Sequence, residues 1–396
     1  MQTPLTIGQF NDGYLPVTDG VVTVVRNYAY WLNEKYGKCV VYAPNAKHYQ
    51  NEESFDVQPY LSMPIPGRKP YRLGFPVFDA SYRRQVDSMQ FDLVHSHSPF
   101  SAGSEALRVA KKQHIPLVGT FHSKFYDDFV QYFHSDHIAR AGVNLVIKFF
   151  QKCDSVWTVS DATVETLREY GYQGPITVIN NGTDLAVPET QAEVDDAKQQ
   201  AEALCSLRPD QPLFVFVGQH IWQKNVRLIL EAAEQLRHIE PDFRLVFVGT
   251  GYAQHDMQAF IDEHAGMAQQ VSLLGTIQNR TLLSYLYLRA SAFVFPSVYD
   301  NAPLVVREAS AMGTPSILIQ GSTAAQGVED KVNGFLCQNS VESLRDTMLY
   351  CLRHPQQAQE IGKKAQKTLA KSWSMIVDQV YEEYLRIIEN HKAKNQ

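Results

Sequence analysis

The chain has 396 residues, 44% of them hydrophobic, with 22 glycines and 19 prolines; that is ample for a sizeable core and favours two domains over one. A net charge of −6 and a pI near 6.1 remove the bulk electrostatic case for a nucleic-acid partner. Five cysteines, Cys39, Cys153, Cys205, Cys337 and Cys351, lie far apart without a CxxC pair, which points to reduced intracellular thiols rather than a disulfide framework or a zinc site.

Residues 1–13 lack the basic start and long apolar stretch of a secretory signal, and no later run approaches a transmembrane length. A cytoplasmic chain is expected, with room for peripheral contact on the inner face of the membrane. Short apolar runs then alternate with helical patterns, the rhythm of a parallel sheet with covering helices. In the first half strands are predicted over 5–9, 39–43, 93–95, 117–120, 155–159 and 176–179. Helices are predicted over 21–35, 101–114, 139–152 and 161–170. The loop between the first strand and helix carries Asp19 and Gly20. Strand ends bring His95, His97 and His122 toward one sheet edge. A core histidine is the ordinary reading of each, and no cysteine or paired carboxylate stands beside them to complete a metal site.

Two stretches mix cations with apolar side chains. One is a predicted loop with Arg68, Lys69, Tyr71, Arg72 and Phe75; the other is the helix that begins near Ala139 and ends near Lys152, with Arg140 and Lys148 beside Leu145, Phe149 and Phe150. Such surfaces favour anionic lipid headgroups, against the plain readings of a loop and a core helix. Residues 186–208 are polar and acidic and read as a linker entering a helix. The rhythm restarts over 213–217, 245–248, 271–274, 292–295 and 316–319. Two doubly wound domains are implied, over 1–185 and 209–372, each with its ligand edge at the C-terminal ends of the strands. A last helix over 373–396 carries Ile376, Val380, Tyr384 and Ile387 at helical spacing.

Residues 296–315, PSVYDNAPLVVREASAMGTP, are the most informative segment. Asp300 precedes a helix opening near Pro303, Glu308 falls in its second turn, and Gly313 with Pro315 ends it. The free amides of such a helix start point over the strand end, where an anion binds. A capping residue and a solvated helix residue are the plain readings of the two acids. A second strand-to-helix turn places Lys224 six residues after Gly218. Glycine there lets the backbone pass close to a ligand, and the cation suits a diphosphate, although a surface lysine reads the same way. A third turn is Gly249-Thr250-Gly251.

Asp300 and Glu308 together resemble the acidic-x7-Glu signature of family 4 retaining glycosyltransferases, and the other motifs follow in that family's order over nearly the whole chain. The resemblance implies an α/β GT-B architecture: two doubly wound Rossmann-like domains facing a central cleft, with the C-terminal helix returning to the N-terminal domain. It implies transfer of a hexosyl group from a nucleotide sugar, UDP-glucose first, to a lipid or glycan acceptor with retention. Asp300 would bind donor-sugar hydroxyls and Glu308 the ribose, with Ala302 and Leu304 presenting helix-start amides. The family more often has glutamate at the first position. Gln219 and Lys224 match its Gly-Arg-x4-Lys element with glutamine in place of arginine, so His220 or another basic residue would have to supply the missing charge. Gly251 matches a Gly-x-Gly loop, Ile277 the backbone beside the base, and Gly20 the glycine that abuts the donor phosphates. Asp19 replaces a neighbouring glycine and would turn toward the acceptor, whose pocket His97 would line, while His122 would lie near the reacting sugar. The chain has no Asp-x-Asp, and the family replaces the metal with cations and helix amides; neither metal nor separate cofactor is expected. Nucleotide-sugar epimerases share the architecture and form a second reading, separable by incubation with UDP-sugar alone; an idle sugar-nucleotide binding protein is a third.

Overall fold

The computed structural model describes residues 4–17, 19–46, 49–65, 71–185 and 187–395. Contacts divide the chain into two units, Met1–Asn181 with Trp373–Gln396, and Gly182–Ser372.

The first unit is built on a seven-stranded sheet. Its spatial order is Asp56–Tyr60, Gly37–Pro44, Leu5–Phe10, Leu93–Ser96, Leu117–Phe121, Ser155–Thr158 and Thr177–Val178, with every neighbouring pair parallel. The central strands are buried along their whole length, because helices cover both faces, and this is why they read as continuous apolar runs. Strand order reverses between Leu5–Phe10 and Leu93–Ser96, which opens a crevice at their C-terminal ends. The edge strand Asp56–Tyr60 escaped the sequence reading: its DVQPY sequence buries only Tyr60 and carries a proline, which sheets tolerate at an edge.

The stretch after it also departs from expectation. Arg72–Gly74 pairs antiparallel with Ser62–Pro64 as a small hairpin, where a loop was predicted; Arg68 and Lys69 lie outside the described residues. The helix predicted over 139–152 runs Asp136–Phe150, started by the Ser135 hydroxyl cap. Its face of Ala139, Val143, Val146, Ile147, Phe149 and Phe150 is core, while Ile138 and Leu145 are exposed. The terminal helix Trp373–Asn395 packs within this unit. Tyr381 stacks on Tyr36 at 3.9 Å between ring centroids, Tyr384 stacks on Trp157 at 5.4 Å, and Trp373 meets Tyr28 edge-on.

The second unit repeats the plan with six parallel strands. Their order is Val271–Gly275, Arg244–Val248, Leu213–Val217, Ala292–Val294, Ser316–Ile319 and Phe335–Cys337, again with every neighbouring pair parallel. In chain order this is 3-2-1-4-5-6, the Rossmann arrangement, and its switch point falls between Leu213–Val217 and Ala292–Val294. Phe335–Cys337 has three residues, too short for an apolar run to announce it. Within 186–208 the chain forms helix Gln191–Cys205, opened by a Thr190–Glu193 capping box.

Candidate active site

The loops that leave the two switch-point strands of the second unit meet around one ion pair. Leu213–Val217 exits through Gly218 into a short turn, Trp222–Lys224, and Asn225 takes a left-handed conformation at φ 55°. The Asn225 amide donates to the Pro296 carbonyl at 2.9 Å, tying this loop to the one after Ala292–Val294. Lys224 Nζ then sits 2.6 Å from Asp300 Oδ1, with the two side chains 12% and 19% exposed, and 5.1 Å from the Phe295 ring centroid. Ser297 donates to Asp300 Oδ2 at 2.6 Å, and the Thr323 hydroxyl donates to the Asp300 carbonyl. Asp300 is thus held in place by its partners at the strand end rather than serving as the cap of the following helix, whose N-cap is Pro303.

That helix, Leu304–Ala311, turns Glu308 inward. The residue is 5% exposed, so the solvated reading fails. Arg280 donates to Oε1 at 2.6 Å and the Tyr287 hydroxyl to Oε2 at 3.1 Å. Arg280 and Tyr287 share a face of helix Arg280–Arg289 because they lie seven residues, two turns, apart. Arg280 also pairs with Asp184 at 2.7 Å. Burial opposes its charge, yet the Glu308 and Asp184 carboxylates outweigh that and raise its pKa; burial, with Glu308 beside it, pushes the Tyr287 hydroxyl well above its ordinary value. Neither residue was singled out from sequence. The one available signal was a cation at a helix start, where the dipole disfavours it unless a carboxylate stands opposite.

The glycine loops pack against one another. A Cβ on Gly249 would meet the Gly218 carbonyl oxygen at 2.0 Å, and one on Gly251 would meet that of His220 at 2.3 Å, so both glycines are required for backbone to lie on backbone. His220 does not replace the missing arginine charge: it is buried, burial lowers its pKa to about 4, and its ring nitrogens have no hydrogen-bond partner among the described residues. Gln219 is exposed beside it. Ile277 lies just beyond Val271–Gly275, half-buried against the core, and Ala302 and Leu304 flank Pro303 at the helix start.

In the first unit Gly20 opens helix Gly20–Lys35, and a Cβ there would meet nothing within 4 Å. Asp19 caps that helix by accepting from the Val22 amide at 2.8 Å, and it also accepts from the Tyr71 hydroxyl at 3.3 Å. Its carboxylate is therefore engaged by the chain itself. Burial raises its pKa. His97 is likewise not an open pocket wall. It is buried, with Nε2 on Gln9 and Nδ1 on His122. The His95 and His97 rings stack at 4.2 Å, with all four nitrogens engaged by protein groups rather than converging on an ion. Among the described residues no group of three or more His, Cys, Asp or Glu side chains is placed to hold a metal.

Two family patterns match successive parts of the chain: Glycosyltransferase Family 4 over residues 18–187 and Glycosyl transferases group 1 over residues 199–368. The chain belongs to the family 4, group 1 glycosyltransferases. This glycosyltransferase is 26% identical to an alpha-monoglucosyldiacylglycerol synthase of Acholeplasma laidlawii, across 91% of this chain and 92% of the relative. It is 24% identical to the Streptococcus pneumoniae protein of the same name, over 84% and 75%. Among solved structures, sucrose-phosphate synthase of Thermosynechococcus elongatus superposes with a TM-score of 0.79 at 18% identity, covering 98% of this chain and 100% of that one. Anabaena HepE in complex with UDP-glucose gives 0.73 at 16% identity, covering 96% and 99%. The glycosyltransferase has the GT-B fold, two Rossmann-like parallel-sheet units.

Proposed function

We propose that the enzyme transfers a glucosyl group from UDP-glucose to diacylglycerol, with retention at the anomeric carbon and without a metal. The observation that carries the transfer chemistry is the Lys224–Asp300 pair at the switch point, with Glu308 buried on the following helix. On donor binding Lys224 takes the diphosphate and Asp300 the sugar hydroxyls, each leaving the other for a ligand partner. Glu308 is immobilised by Arg280 and Tyr287, so its carboxylate is already oriented to accept from ribose hydroxyls. Ala302 and Leu304 lie at the helix start, where amides lack intrahelical acceptors and face an anion. Gln219 leaves the diphosphate with one fixed cation fewer, so positioning and these amides take a larger share of charge stabilisation on the departing phosphate. The departing diphosphate takes the acceptor proton. Gly251 and Ile277 complete the donor contacts through backbone.

The lipid acceptor is supported by the two monoglucosyldiacylglycerol synthases among the relatives and by a face of the first unit. There Phe100 stands edge-on to Phe129, which neighbours Phe133; Phe100, Phe133, Ile138 and Leu145 are exposed. Lys148 and Lys152 are exposed on the same stretch of chain. Apolar side chains among cations suit an anionic bilayer surface, at which a cytoplasmic enzyme would meet its acceptor. No described helix is long and apolar enough to cross a membrane.

Labelled UDP- and GDP-hexoses, offered with vesicles containing diacylglycerol and anionic lipid and separately with soluble sugars, test this reading. The expected result is an α-linked glucolipid from UDP-glucose, unchanged by EDTA, with the protein pelleting on the vesicles at low salt. Transfer only to soluble sugars, or failure to pellet, overturns the lipid assignment. Conversion of UDP-glucose without acceptor to an epimeric sugar overturns transfer itself.

A further inference from the structure

Each sheet reverses its strand order once, and in each unit two helices follow the strands that flank that switch point. In the second unit they are Val226–Arg237 and Leu304–Ala311, after strands Leu213–Val217 and Ala292–Val294. Their N-cap residues, Asn225 and Pro303, make no side-chain cap, and Lys224 stands in the loop before the first of them. Helix starts of this kind keep their amides for an anion. The topological equivalents in the first unit are Gly20–Lys35 and Ser101–Gln113, after strands Leu5–Phe10 and Leu93–Ser96.

Both of these starts are filled by carboxylates of the chain itself. On the first helix Asp19 accepts from the Val22 amide at 2.8 Å. The second helix begins at Phe100, which has no capping side chain, and Asp12, 90 residues before Ala102, reaches it instead. Asp12 Oδ1 accepts from the Ala102 amide at 2.9 Å and from the Ser101 hydroxyl, and Oδ2 accepts from the Ser98 hydroxyl. Residues 11–19 and 97–100, the loops between strand and helix, contain no lysine or arginine, so neither loop brings a cation of its own to these acids. Burial raises the pKa of both. Their charges are already poorly solvated, and a further anion beside either one would add like-charge repulsion to that cost.

We propose that Asp12 and Asp19 are specificity-determining residues, which keep phosphate out of the first unit's crevice and confine it to acceptors that present uncharged hydroxyls. That role rests on the reading that this unit takes the acceptor, and it narrows the acceptor class. A neutral glycerolipid is admitted, whereas a lipid or sugar with a phosphate beside its hydroxyls is refused. One architecture thus carries two crevices of opposite preference. The second unit leaves both helix starts uncapped and adds a lysine; the first unit stops both with acids.

With UDP-glucose as donor, neutral acceptors are set against phosphate-bearing counterparts. One pair is diacylglycerol and phosphatidylglycerol, in vesicles whose anionic component is phosphatidylserine, which offers no free hydroxyl. The other is glucose and glucose 6-phosphate. The wild type should favour the neutral member of whichever pair it uses by at least about 100-fold in kcat/KM. Asp12→Asn and Asp19→Asn keep the shape and lose the charge, and each should narrow that ratio about tenfold, the scale of one like-charge contact. A second readout needs no transfer: in protein saturated with UDP, which occupies the second unit, inorganic phosphate followed by ³¹P line widths should bind Asp12→Gly more tightly than wild type. Equal use of both members of a pair by the wild type overturns the proposal and leaves transfer itself standing; a ratio unmoved in both asparagine variants does the same. Discrimination within the sugar pair without any glucolipid supports the filled helix starts and overturns instead the lipid acceptor. Where neither pair is a substrate, the phosphate titration decides, and equal binding to wild type and Asp12→Gly removes Asp12 from this role.

Discussion

Arg280 and Tyr287 hold the two oxygens of Glu308 from one helix face, and this decides which substitution there is informative. Glu308→Ala would strand the buried Tyr287 hydroxyl, adding a folding defect to any loss of chemistry. Glu308→Gln keeps the volume and an acceptor for Arg280, whose side chain is 44% exposed and keeps its partner Asp184. Solvent screening discounts the lost ion pair, so we expect a stability cost of about 1 kcal/mol or less. Transfer should suffer more, because a hydrogen bond from ribose to a charged acceptor contributes about 1.5–3 kcal/mol, which is roughly a 10- to 100-fold loss in kcat/KM. Near-normal kcat/KM in a folded Glu308→Gln protein would remove Glu308 from the donor site. Asp300, Glu308 and Lys224 were legible because each stands in a local strand-to-helix turn with characteristic spacing. Arg280 and Asp12 were not, since their meaning comes from partners 28 and 90 residues away that only the folded chain supplies.

Elements were legible in proportion to how continuously they are buried. The central strands of both sheets and the helices Gly20–Lys35, Ser101–Gln113 and Asp161–Glu169 lie within a residue or two of their predicted bounds, because two covered faces demand unbroken apolar runs. Edge strands, three-residue strands and the Ser62–Pro64 hairpin satisfy their backbone with little burial and leave no periodic trace. The terminal helix shows which of its contacts carry energy. Asp378 draws Lys35 and accepts from the Tyr36 hydroxyl at 2.6 Å, yet its side chain is 48% exposed. Tyr381 is buried and stacked on Tyr36. Deleting a large buried aromatic costs about 3–5 kcal/mol, whereas an exposed ion pair contributes about 0–1 kcal/mol. Urea unfolding should therefore rank Tyr381→Ala far below Asp378→Ala in stability. Equal losses would mean that polar contacts, rather than packing, hold this helix on the first unit.

Across the whole molecule the histidines whose protonation desolvation opposes are unevenly shared: His95, His97 and His122 lie in the first unit and His220 in the second. All four have folded pKa values depressed by burial. In the unfolded chain each takes up a proton as pH falls through about 6.5, while in the folded chain it does not. Stability is therefore fully present above that value and declines as pH falls, until the folded values are reached, about 3 for His122 and about 4 for His220. Each unshared proton lowers stability by about 1.4 kcal/mol per pH unit, so three give up to about 4 kcal/mol per unit in the first unit against about 1.4 in the second. Asp12 and Asp19, whose pKa values burial raises, act in the opposite sense within the first unit and reduce its slope at the acid end. Two units need not unfold in one transition, so the probe must report on one of them. Trp31, Trp157 and Trp373 lie in the first unit and Trp222 in the second; Trp222→Phe confines the fluorescence to the first. Urea titrations of that variant between pH 7 and pH 5 should show the first unit losing stability with a steepening slope. A flat profile would mean that the three rings are protonated in the folded protein.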